Sequence, residues 1–328
     1  MREAKGAGLL NRDATAWFKG LAIIMVILSH FAEWWTWFYT EQGTSELIRD
    51  GISRFGPYGV AIFFLFSGYG LAKSVGKRRI GIRFIIKRIL NVYVPYLIMV
   101  VLITLLSGGF ESKEDIREIF YGQDFWYMTV LFSFYLAFMA IWLIFDHYQV
   151  RAVLLTIFTF WYSYYLYKQG EQDFWFNSNI AFEIGAMLAL YETKIKKLMS
   201  KIGILFVILF GVGSAAVVYS ALYVEHVWKR PTDEIWSRII AITIFTLFIA
   251  SLAAVWRWYG PVLPILGKYS LYFYLSHTFL FMWAINFFEY EMSINFAIAA
   301  GIILAASILV GSIIDILIAP VIRFINKK

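Results

Sequence analysis

Ten stretches of this chain stay apolar for about as long as a bilayer is thick, and no soluble architecture has a use for so many. A hydrocarbon core about 30 Å thick takes about 20 helical residues. Residues 17–38, 55–75, 84–106, 125–145, 150–167, 175–191, 202–224, 236–255, 262–288 and 294–319 meet or approach that length. Membrane barrels use alternating segments of about 10 residues, and nothing here alternates on that scale. A composition 61% hydrophobic and only 16% charged also excludes an ordinary soluble enzyme, a coiled coil and a disordered chain. The expected fold class is an all-α integral membrane protein with about ten transmembrane helices. The segments at 150–167 and 175–191 are the shortest. They count as a pair, so the direction of every other helix is the same with or without them.

Direction follows from the basic residues, which concentrate on the cytoplasmic side of a membrane. With the N-terminus inside, 19 of the 29 Lys and Arg fall in inside segments or at the inside ends of spans, and 8 in outside loops or at an outside span end. Of the 22 acidic residues, 15 fall outside and 4 inside. Both termini are therefore expected in the cytoplasm, with residues 1–16 as a leading segment and 320–328 as a tail. The net charge of +7 reports topology and gives no support to nucleic-acid binding. No loop is long enough to hold a second soluble domain, so residues 1–328 read as a single membrane-embedded domain. The polar N-terminus does not read as a cleaved signal peptide. Cysteine is absent, which excludes disulfides, a thiolate nucleophile and a thiolate metal site.

An ionisable side chain at bilayer depth is costly and points to function. The first span carries Lys19, His30 and Glu33. Eleven residues separate Lys19 from His30, which on a helix is three turns plus about 20°, so both project from one face about 16 Å apart. Glu33 lies three residues past His30 and neighbours it on the helix surface. Lys19 could equally snorkel to the headgroups, and Glu33 could belong to the Trp34, Trp35 and Trp37 belt. His277 in the ninth span is a second site residue or a buried strut, and Glu183 in the sixth needs a partner. Asp315 reads as paired at headgroup level, and His147 and His226 as solvated. No phosphate loop, HExxH pair, GxSxG elbow or HxxxD motif occurs, and the four histidines have no metal-ligand spacing. No metal is expected. The basic run KSVGKRRIGIRFIIKR is mostly a positive-inside signal, and its density also suits an anionic cytoplasmic ligand.

An ordered set of motifs resembles acyltransferase family 3, the membrane acyltransferases of the stand-alone, ten-helix type. A basic residue, ten residues and a histidine appear as Lys19 and His30 in WFKGLAIIMVILSHF. Phe63, Phe64, Ser67 and Gly68 match an FFxxSG signature. RFIIKRILNVYVPY resembles the basic, proline-containing third helix, DFWYMTVLFSFYL the tryptophan-led fourth, and GKYSLYFYLSHTFL the ninth. The third helix of the family often carries two arginines three apart; here Arg88 is followed by Asn91.

The resemblance implies transfer of an acyl group, usually acetyl, from acyl-CoA in the cytoplasm to a hydroxyl of an extracytoplasmic or lipid-linked glycan. It also implies a multi-pass protein of the bacterial cytoplasmic membrane acting on the cell envelope. A sugar hydroxyl is a poor nucleophile until its proton is removed, and histidine is the usual base. His30 is the expected catalytic residue, as base or as acyl carrier, with Glu33 orienting it. Lys19, Arg88 and Ser67 fall on the donor side, and His277 and Glu183 are two further candidates. The competing class is a transporter or flippase for a polar glycan. That class predicts inverted repeats or paired broken helices, and the Pro261, Pro264 and Gly267 cluster has no counterpart in the other half.

Overall fold

A computed structural model describes residues 8–38, 49, 51–76, 81–106, 125–223, 231–256, 259–291 and 296–327. Among these residues there are ten α-helices and no strand: α1 (Arg12–Phe38), α2 (Gly56–Val75), α3 (Ile82–Leu106), α4 (Trp126–Ile144), α5 (Tyr148–Gln169), α6 (Ile180–Leu190), α7 (Glu192–Tyr223), α8 (Pro231–Val255), α9 (Val262–Glu291) and α10 (Phe296–Lys327). Lipid offers no partner for a backbone N–H or C=O, so runs of Leu, Ile, Phe and Val in such a chain satisfy their peptide groups within each helix. Among the described residues, seven helices are long and apolar enough to cross a membrane.

The sixth expected span departs from this pattern. It opens on a 3₁₀ turn at Asp173–Trp175, and its α-helix has only 11 residues, about 16 Å of rise. The Asn177–Ser178–Asn179 run breaks the helix. The Ser178 hydroxyl is 3.0 Å from both the Pro57 carbonyl and the Asn177 amide oxygen. Short polar side chains of this kind compete with the helix ladder. The basic turn expected at 194–201 is instead part of the start of α7, joined to the apolar part by non-helical backbone at Ile202 (φ −132°, ψ 19°). At the other end α10 continues through Pro320 to Lys327, past the expected end of its span. The loop expected at 108–124 and His226 lie outside the described residues, as do parts of the loops at 43–54 and 225–234.

Two compact units divide the chain. The first comprises Met1–Ala22, Pro57–Arg79 and Ala140–Gly267, the second Ile23–Gly56, Ile80–Met139 and Lys268–Lys328. In the first unit glycines set the helix crossings. A Cβ on Gly20 would strike the Leu263 carbonyl, and one on Gly267 the Ala16 carbonyl, which fixes a close α1–α9 crossing. Gly68 meets the Phe182 carbonyl, and Gly185 the Leu65 carbonyl, in the same reciprocal way between α2 and α6. Small residues are what allow backbones to approach in lipid, where there is no hydrophobic drive between helices. Gly203, Gly211 and Gly213 face Val255, Phe248 and Ile244, so α7 and α8 run antiparallel.

The second unit is held by aromatic packing. Phe31 packs on Phe281 and Phe296, and Tyr96 on Phe125 and Phe132. In the first unit the outward faces stay apolar: Ile204, Leu209 and Val212 on α7 are 58–68% exposed, a surface that lipid covers and water would not.

Candidate active site

Helix α1 starts under an asparagine cap, with the Ala14 N–H donating to Asn11 Oδ1 at 2.6 Å. It then runs without a break past Lys19, His30 and Glu33. In the first unit Lys19 is half-buried beside the α1–α9 crossing residue Gly20. Ahead of the helix, Glu192 gathers the chain: it accepts from the Leu9 N–H at 2.5 Å and from the Tyr69 hydroxyl at 3.1 Å, and it pairs with Lys73 and Lys196. Sequence reasoning had not singled out Glu192. A lone acid among the basic residues at 194–201 was the signal available.

In the second unit α1 and α9 meet again. His30 Nδ1 lies 2.8 Å from His277 Nε2. The two imidazoles are 7° from parallel with centroids 5.1 Å apart. That separation is close to the N···N distance plus one ring radius on each side, so the rings lie edge to edge in one plane. His277 is 1% exposed, and its Nδ1 is 2.5 Å from the Tyr274 carbonyl. Its ring is wedged between the Phe281 edge at 5.4 Å and the Tyr274 ring at 5.5 Å. His30, by contrast, is only half-buried.

The structure thus brings His277 to the nitrogen for which Glu33 was the expected partner. Glu33 is exposed on the next turn of α1. The pairing has a trace in the sequence. Gly20 precedes His30 by ten residues and Gly267 precedes His277 by ten, so each histidine of the pair follows a crossing glycine at the same interval.

The remaining candidates sort by unit. In the second, the Arg88 guanidinium lies over the Tyr135 ring at 5.7 Å, and its Nε is buried without a hydrogen-bond partner among the described residues. In the first, Ser67 is buried next to Gly68. Glu183 is also buried there; Thr156 Oγ1 sits 2.5 Å from its Oε1, while Oε2 has no partner among the described residues. His147 is exposed, as expected. Among the described residues no three His, Cys, Asp or Glu side chains gather as a metal site requires.

A family model described as an acyltransferase domain matches residues 14–315. The chain belongs to acyltransferase family 3. No curated protein and no solved structure matches it. In this acyltransferase the match takes in the helices of both units, with α1 from Ala14 and α10 as far as Asp315. The Ser67–Gly68 signature sits where α2 crosses α6, so its glycine serves helix packing.

Proposed function

We propose that this acyltransferase moves an acetyl group from cytoplasmic acetyl-CoA to a hydroxyl of an extracytoplasmic or lipid-linked glycan. The protein lies in a bacterial cytoplasmic membrane with both termini inside. The observation that carries the chemistry is His30: a half-buried imidazole on the first helix, with one nitrogen held by His277 and the other directed away from that bond. As the hydroxyl oxygen of the acceptor attacks the thioester carbonyl, its O–H bond breaks and the proton passes to His30 Nε2. The C–O bond forms, the C–S bond breaks, and the departing CoA thiolate takes the proton back. Such general-base assistance contributes about 10²- to 10⁴-fold.

Lys19 and Arg88 hold the donor. The buried Nε of Arg88 lacks a partner among the described residues, and an unmet guanidinium donor suits a phosphate or carbonyl oxygen. Odd-numbered helices running outward and even-numbered helices running inward agree with the antiparallel α7–α8 contacts.

The test is labelled acetyl-CoA with the purified protein in detergent and a polyol or glycan acceptor. Transfer should occur in the wild type and fall at least about 100-fold in His30→Ala, with expression and detergent stability unchanged. Transfer retained within a few-fold would remove His30 from the reaction. A base requires a ternary complex and intersecting steady-state lines; label left on denatured protein after donor alone would mark an acyl-histidine instead.

A further inference from the structure

The two histidines form a directed chain. A carbonyl oxygen can only accept, so His277 Nδ1, 2.5 Å from the Tyr274 carbonyl, bears a hydrogen. In a neutral His277 the other nitrogen, Nε2, is then a lone pair. That lone pair lies 2.8 Å from His30 Nδ1 in the common plane of the two rings, so His30 Nδ1 must carry the hydrogen between them. A neutral His30 is left with its lone pair on Nε2. Which nitrogen of an imidazole is protonated is set by the bond the other one makes. Free histidine prefers the opposite form, with the hydrogen on Nε2, which would donate to an acceptor hydroxyl where the reaction needs a base.

We propose that His277 is a positioning residue that holds His30 in the tautomer able to act as base, with the Tyr274 main-chain carbonyl as the fixed end of the relay. The inference rests on the reading of His30 given above. The surroundings suit the role. His277 is buried and packed by Phe281 and Tyr274; Phe281 in turn contacts Phe31 and Trp34 of α1, and Tyr274 contacts Tyr127. The ring therefore has little room to turn over. A carboxylate in this position would support the imidazolium more strongly, but it would carry a charge to membrane depth, where a neutral acceptor is far less costly. When His30 takes the acceptor proton on Nε2, its Nδ1–H bond to His277 becomes charge-assisted and strengthens. The interaction is thus stronger in the transition state than in the ground state, as catalysis requires.

The experiment uses two substitutions that differ in one atom's role. In His277→Gln the amide oxygen reaches the position of Nε2 and still accepts from His30 Nδ1. In His277→Asn the amide can still donate to the Tyr274 carbonyl, but no acceptor reaches His30. The chain has four histidines, so ¹⁵N-histidine labelling of the whole protein in detergent gives a spectrum that single substitutions assign. Wild type and His277→Gln should show His30 protonated on Nδ1 and bare on Nε2, and His277→Asn should show the reverse. The kcat should fall about 10- to 100-fold in His277→Asn, within the range of general-base effects, and recover most of that loss in His277→Gln, with the KM for acetyl-CoA unchanged. An unaltered His30 tautomer in His277→Asn would overturn the proposal whatever the activity. A reversed tautomer with unchanged kcat would overturn it too; survival of transfer in His30→Ala would then place the fault in the choice of base, and loss of transfer would place it in the coupling.

Discussion

Arg151 is counted by sequence among the charges of a cytoplasmic turn, yet its side chain is 0% exposed. Helix α4 ends at Ile144, and a helix end leaves carbonyls with no intrahelical donor. The Arg151 guanidinium supplies two of them, donating from Nε to the Phe145 carbonyl at 2.6 Å and from Nη2 to the Trp142 carbonyl at 3.1 Å. It also lies 5.4 Å from the Trp142 ring centroid and 4.0 Å from Asp146. Arg151→Met keeps most of the aliphatic stem and removes both donors.

Each hydrogen bond from a charged group is worth about 1.5–3 kcal/mol, and an acceptor buried away from water bears its desolvation in full. Against the two bonds stands the relief of no longer burying a cation, so a net loss of about 3 kcal/mol is expected, in line with breaking a buried ion pair from one side. Arg151→Ala adds the cost of a cavity, for about 4 kcal/mol in all. The assay is denaturation of the purified protein in mixed detergent, followed by tryptophan fluorescence, where about 3 kcal/mol lowers the folded-to-unfolded ratio more than 100-fold. The kcat per folded molecule should not change. A loss below about 1 kcal/mol in Arg151→Met, the level of an ordinary surface pair, would refute the capping account.

Three further outcomes are expected. Gly68→Ala should destabilise by about 1–3 kcal/mol through overpacking, despite the better helix propensity of alanine, because the added methyl meets the Phe182 backbone; equal or higher thermal stability would contradict the reading of the signature as a crossing point. Lys19→Ala and Arg88→Gln should each weaken CoA binding by calorimetry at least tenfold, with Lys19→Arg retaining much of it since the charge is kept; equal affinity in either variant would remove that residue from the donor side. Single cysteines placed at 194–201 in this cysteine-free chain should resist an impermeant maleimide on intact cells, whereas cysteines at 108–124 should react, and labelling of 194–201 from outside would reverse the topology.

How much could be read ahead of the structure depended on the range of the interaction involved. Hydrophobic length is a local property, so ten helices followed from composition along the chain, and among the described residues seven of them are long and apolar enough to cross a membrane. The single face shared by Lys19 and His30 needed only helical periodicity. The ordered motifs then led to the family that the match over residues 14–315 establishes. Tertiary structure decided the rest. The partner of His30 lies 247 residues away on α9, and only packing brings those helices together; local spacing pointed to Glu33, the nearest ionisable group on the same helix. Arg151 was no more than one of the inside charges by sequence, because its acceptors are main-chain carbonyls, which sequence does not single out. The glycine of the family signature is a helix contact, and nothing local shows this, because the backbone it meets is that of Phe182 on α6, 114 residues further along the chain. Periodicity and polarity are written along a single segment. The hydrogen-bond partner that selects a histidine tautomer is written only in the way distant segments pack.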